Sequence, residues 1–131
     1  MNDLKIKKLE MIQSIISRLN SNSFTIKSWC ITIISAIGLF SISALSYLTL
    51  LLGMMVIAVF WIMDSYYLSK EKEFISLYDE VVDSHEIVDF KLVIPEKLKI
   101  TVFEVLFSKS QVLLYPILML ILIIIIVIIS Q

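Results

Sequence analysis

Two stretches of the chain carry no charged side chain, residues 28–63 and 110–131. A bilayer's hydrocarbon core is ~30 Å thick and takes ~20 apolar residues per helical crossing. The longer stretch is therefore long enough to cross twice and the shorter one once. Neither shows the period-2 alternation of a barrel strand, and backbone in lipid must satisfy its own hydrogen bonds, so the spans are expected as helices. The pattern predicts an all-α membrane protein with three transmembrane helices. Two form a hairpin over 24–43 and 47–67, turning where Ser41, Ser43, Ser46 and Tyr47 gather, and a third begins near Gln111. The third span, almost all Ile and Leu, reads as a lipid-facing anchor.

Outside these runs the periodicity changes. Leu9, Ile12, Ile16 and Leu19 recur at spacings of three and four, widened by Met11 and Ile15, which predicts an amphipathic helix over 4–19. Asn20, Ser21, Asn22 and Ser23 are expected to break it and cap the next helix. Its apolar stripe suits the inner leaflet, since Lys5, Lys7, Lys8 and Arg18 favour anionic lipid, but packing against a second cytoplasmic helix of the same chain is the preferred reading. That second helix is expected as a continuation of the second span, with Phe74, Leu77, Tyr78 and Val81 on one face and Lys70, Glu71, Lys72, Glu73, Asp79 and Glu80 on the other. Around Pro95 the chain alternates, with Phe90, Leu92 and Ile94 before it and Leu98, Ile100 and Val102 after it; this suits a short β-hairpin leaning on the helices. Thr101 and Glu104 have capping-box spacing and open a short helix over 102–109. The expected units are thus an amphipathic helix (1–22), a transmembrane hairpin (23–68), a cytoplasmic extension and connector (69–109) and a third span (110–131).

Composition agrees with this division: 59% of the 131 residues are hydrophobic, with only two glycines and two prolines, which leaves little for flexible linkers. The basic residues fall as Lys5, Lys7, Lys8, Arg18 and Lys27 before the first run and Lys70, Lys72, Lys91, Lys97, Lys99 and Lys109 after the second span. A hairpin places all of them on one side, and the positive-inside rule makes that side cytoplasmic. The expected topology is N-terminus inside and C-terminus outside. The N-terminal segment lacks a small-residue cleavage site and reads as retained.

Catalytic chemistry is not indicated. There is no phosphate-binding glycine loop, nucleophile motif or cofactor signature, and His85 and Cys30, each the sole residue of its type, lack companions for a metal site. Polar residues within the spans are more informative. Thr25, Ser28, Thr32, Ser35 and Ser43 repeat at helical spacing along the first span. Such a hydroxyl face serves helix packing, or lines a water-filled path in a homo-oligomer, because three spans cannot enclose a pore alone. Asp64, at the inner end of the second span, is expected to find a partner, and Lys27 is the nearest candidate. The pair would act as a latch or as a cation-attracting ring at a pore mouth; the alternative is a water-facing interfacial acid.

Several blocks together resemble small bacterial membrane effectors of antiphage defence. They are Asn22-Ser23-Phe24 with Lys27 and Trp29; Phe60-Trp61 with Asp64, Tyr67-Leu68, Glu71, Phe74 and Leu77-Tyr78; and Phe107-Ser108-Lys109. In organisation the chain is similar to two-span effectors of cyclic-oligonucleotide systems and to the Hailong type. The resemblance implies an oligomeric pore controlled from the cytoplasm by a co-encoded nucleotide-synthesising or sensor protein. It also implies a nucleotide or oligonucleotide ligand, for which Lys91, Lys97 and Lys99 are the candidate phosphate contacts. Residues 70–109 are too few for a separate nucleotide-sensing domain, so such a site would form between subunits. The competing expectations are a non-conducting anchor or regulator of a soluble partner, and a holin-like protein.

Overall fold

A computed structural model describes residues 3–40, 46–85 and 91–131, and every regular element among them is helical. Two long helices dominate, α1 (Asp3–Phe40) and α2 (Tyr47–Asp83). They pack side by side as an antiparallel pair. After a single 3-10 turn at Glu96–Leu98 come two one-turn helices, α3 (Val102–Val105) and α4 (Lys109–Val112), and then α5 (Tyr115–Ser130).

The expected break at 20–23 does not occur, and its cause is tertiary. Ser and Asn leave helices when their side chains compete for nearby backbone groups. Here the Asn20 amide donates to Glu71 Oε1 at 3.0 Å and the Ser23 hydroxyl donates to Asp64 Oδ1, both on α2. The groups that would have capped a new helix are spent on a neighbouring one, so α1 runs through. Lys5 binds the opposite end of α2, donating to the carbonyls of Val82 (2.8 Å) and Ser84 (2.9 Å); a cation there also complements the negative end of the helix dipole.

α2 starts cleanly because Ser46 Oγ accepts the Thr49 amide as an N-cap. The remainder of the expected turn, 41–45 including Ser43, lies outside the described residues. With 37 residues, α2 is about 55 Å long at 1.5 Å per residue, longer than the ~30 Å of hydrocarbon it could cross. Its second half, rich in charge, would project beyond a membrane crossed by the first half.

The count of spans differs from the expected three. Among the described residues α2 is long and apolar enough to cross a membrane, and a second crossing exists only if the bent run from Glu96 to Ser130 counts as one span. α1 does not qualify. Its charge-free part within the described residues, 28–40, covers only ~20 Å and is interrupted by hydroxyls.

The expected β-hairpin is also absent from the described residues; 86–90 lie outside them, and 91–100 contain only the 3-10 turn. Two of the amides that a hairpin would pair go elsewhere: Leu98 N–H to the Pro95 carbonyl and Ile100 N–H to Glu73 Oε1 of α2 at 2.8 Å. The expected helix over 102–109 is split in two at Leu106–Ser108.

The core of the apolar half is a cluster of Cys30 (α1), Ile57 (α2) and Tyr115 (α5), all fully buried, with Ile34, Trp61 and Leu118 packed around it. Cys30 is thus a packing residue. α5 is no mere lipid anchor: Gly53 lets it approach α2 so closely that a Cβ there would stand 3.3 Å from Leu122 Cδ1.

Candidate functional site

The chain's buried polar groups gather where the apolar half of the helix pair meets its charged half. Asp64 follows Trp61-Ile62-Met63 directly, so helical periodicity carries its carboxylate onto the face of α2 that meets both α1 and α5. It is fully buried. Three donors surround it. Oδ1 accepts the Ser23 hydroxyl from α1, while Oδ2 accepts the Tyr115 hydroxyl of α5 at 2.9 Å and lies 2.5 Å from Lys27 Nζ of α1. Lys27 also donates to Ser23 Oγ at 3.0 Å, one turn earlier on its own helix. One carboxylate therefore ties three helices together.

Lys27 keeps 22% of its side chain exposed whereas Asp64 keeps none. The pair is thus sited at a boundary, its acid dry and its cation reaching outward, as a long basic side chain does at a membrane edge. Burying a carboxylate is costly unless it is paired and hydrogen-bonded; here every contact that satisfies it comes from another helix.

A second layer lies beside the first. Ser65 Oγ donates to Gln111 Oε1 at 3.4 Å, and both residues are fully buried. Gln111 Nε2 and Ser108 Oγ have no hydrogen-bond partner among the described residues. Trp61 stacks on Tyr115 with centroids 6.3 Å apart, meets Phe107 edge-on at 5.8 Å, and donates its indole N–H to the Leu106 carbonyl at 2.9 Å. Glu73, almost fully buried, takes the Ile100 amide and Lys70 Nζ at 3.3 Å. α2 thus holds the connector 96–115 through Trp61, Asp64, Ser65 and Glu73 in succession.

The residues singled out in the sequence separate into three groups. Lys27 and Asp64 come together. Thr25, Ser28, Thr32 and Ser35 share one exposed face of α1, turned away from Cys30 and the junction. The first three satisfy their own hydroxyls by donating to the carbonyls of Ser21, Phe24 and Ser28 at 2.8–3.0 Å. Ser43 lies outside the described residues. Of the lysines expected at phosphate, Lys97 pairs with Glu80 at 2.5 Å, Lys99 with Glu96 at 3.0 Å, and Lys91 is exposed. Among the described residues no cluster could hold a metal ion.

Sequence reading missed Tyr115, Gln111 and the role of Glu73. The available signal was the pair Gln111 and Tyr115 at spacing four in the run 111–129, otherwise Val, Leu, Ile and Met with one Pro, where a polar tip needs a partner. Comparison of the chain with protein-family models, curated proteins and solved structures finds no match.

Proposed function

We propose that this chain is a subunit of an oligomeric membrane pore or channel-like effector, closed by the Asp64 junction and opened by a signal acting on its cytoplasmic arm. The observation that carries the reading is the exposed stripe Thr25, Ser28, Thr32 and Ser35. The side chains that tie this part of α1 to the other helices, Ser23, Lys27 and Cys30, lie on the other side of the helix. Hydroxyls repeated along a helix beside the apolar half of α2 favour contact with another helix or with water over contact with lipid. A homo-oligomer with these stripes facing a common axis would provide such a path, with α1 sharing the membrane layer of α2. The junction would then lie at the inner mouth, in an inner membrane with the N-terminus cytoplasmic. An antiphage role and a nucleotide or oligonucleotide trigger, made by a co-encoded protein, follow from the resemblance of the sequence blocks.

Flux from liposomes reconstituted with the full chain tests the reading. Thr32→Val and Ser28→Ala are expected to change ion flux or selectivity while leaving the oligomer intact. Absence of ion permeability in liposomes and in induced cells, with the genomic neighbours also present, refutes it.

A non-conducting anchor is the second reading, favoured by the groove of about 810 Å³ along the cytoplasmic arm between Ile6, Leu9, Gln13, Tyr78 and Val82. Stoichiometric co-purification of one soluble protein, without a homo-oligomer, would support it. A holin-like role predicts lesions wide enough to pass folded proteins.

A further inference from the structure

The short helices before α5 pose a problem that water does not solve. Phe103 is 82% exposed, Phe107 73% and Leu113 72%, more than nearly all other large apolar side chains of the chain. They lie within a dozen residues, on a segment whose opposite side is fully buried through Val105 and Gln111. Contiguous exposed apolar groups of this kind mark an interaction surface.

Two observations bear on what covers it. The run Glu96–Val112 meets α5 at 72°, so when α5 follows the membrane normal this segment lies close to the membrane plane. Glu96, Lys97, Lys99 and Glu104 would cost about 2.5–3.5 kcal/mol for each central charge in the hydrocarbon, so the run Glu96–Ser130 counts as one span only in its bent form, with this segment at the interface and α5 crossing. Finally, Lys109 sits with Phe107, Val112 and Leu113 around a shallow hollow of about 270 Å³, a cation at the edge of an apolar floor.

We propose that residues 102–114 form an in-plane anchor seated on the phospholipid surface of the leaflet at the junction's end. Phe103, Phe107 and Leu113 enter the acyl layer, and Lys109 meets the anionic headgroups above the hollow. The occupant is the bilayer itself. Segments that lie in the interface combine these residue types. Trp61 supplies the mechanical link: its indole holds the Leu106 carbonyl in the middle of the anchor, so a displacement of the anchor is transmitted to α2 beside Asp64. The inference rests on the membrane placement of α2 and α5, and it is independent of conduction.

The test uses the full chain in nanodiscs of phosphatidylcholine with phosphatidylglycerol, in a Cys30→Ser background. Single cysteines are placed by Phe103→Cys, Phe107→Cys, Leu113→Cys, Lys99→Cys and Met55→Cys, and each is labelled with a nitroxide. Collision with dissolved oxygen reports lipid exposure and collision with a water-soluble nickel chelate reports water. Positions 103, 107 and 113 are expected to match exposed position 55 on α2, with an oxygen-to-nickel ratio several-fold above that of position 99. Lys109→Glu should shift label 107 toward the nickel reagent when phosphatidylglycerol is present and less so without it. Wet labels at 103, 107 and 113 with a dry label at 55 overturn the anchor alone. A wet label at 55 overturns the membrane placement and the anchor with it. A dry label at 99 makes the segment re-entrant and overturns its in-plane setting.

Discussion

Substituting Asp64→Ala strands three donors at once: the hydroxyls of Ser23 and Tyr115, and the ammonium of Lys27. Removing one partner of a buried ion pair typically costs about 3–5 kcal/mol, because the remaining charge stays desolvated. Lys27 is 22% exposed and can extend toward water, so the expected loss falls at or just below the bottom of that range, ~2–3 kcal/mol. Asp64→Asn retains an acceptor for Tyr115 and should cost less than Asp64→Ala. Lys27→Met leaves the buried carboxylate without its cation, and because Asp64 has no exposure its cost should exceed that of Asp64→Asn. The double variant replaces the pair by neutral groups and should recover part of the sum, giving a coupling of ~1–3 kcal/mol in a double-mutant cycle. Trp61 fluorescence during denaturant unfolding in detergent is a direct reporter, since the indole stacks on Tyr115. Single variants within ~0.5 kcal/mol of the parent, as for an ordinary surface change, together with strict additivity would refute the view that the junction binds the three helices together.

Three further outcomes are expected. Trp61→Phe keeps the ring but orphans the Leu106 carbonyl, which should destabilise by ~1–2 kcal/mol and raise the rate at which added protease cuts within 96–114. Gly53→Ala places a methyl 3.3 Å from the tip of Leu122, a flexible end that can yield, and relieves a helical glycine worth ~1 kcal/mol; it should be neutral or stabilising, whereas Gly53→Leu should separate α5 from α2 and expose Tyr115 to collisional quenchers. Lys97→Ala breaks a mostly exposed pair with Glu80 and should shift stability by less than ~1 kcal/mol, with the small difference vanishing in high salt; a larger loss by thermal melting would place that contact inside the core.

What the sequence determined by itself is which stretches are apolar enough for lipid and which are too charged for it. Uncharged runs can form helices in lipid and charged stripes cannot, and that much depends only on the order of residues; the helical character of 28–40, 47–63 and 115–130 and the isolation of Asp64 at the end of an apolar run were legible for that reason. Tertiary structure decided the destinations of the polar groups. Asn20 and Ser23 read locally as a helix break, but partners on α2 absorb them and α1 continues. The alternation around Pro95 read as a hairpin, but Glu73 takes the Ile100 amide. The last run read as a lipid-facing anchor, yet Tyr115 at its head completes the Asp64 site. Local pattern fixes which groups must find a partner, and only the packing of helices distant in sequence fixes which partner each one finds.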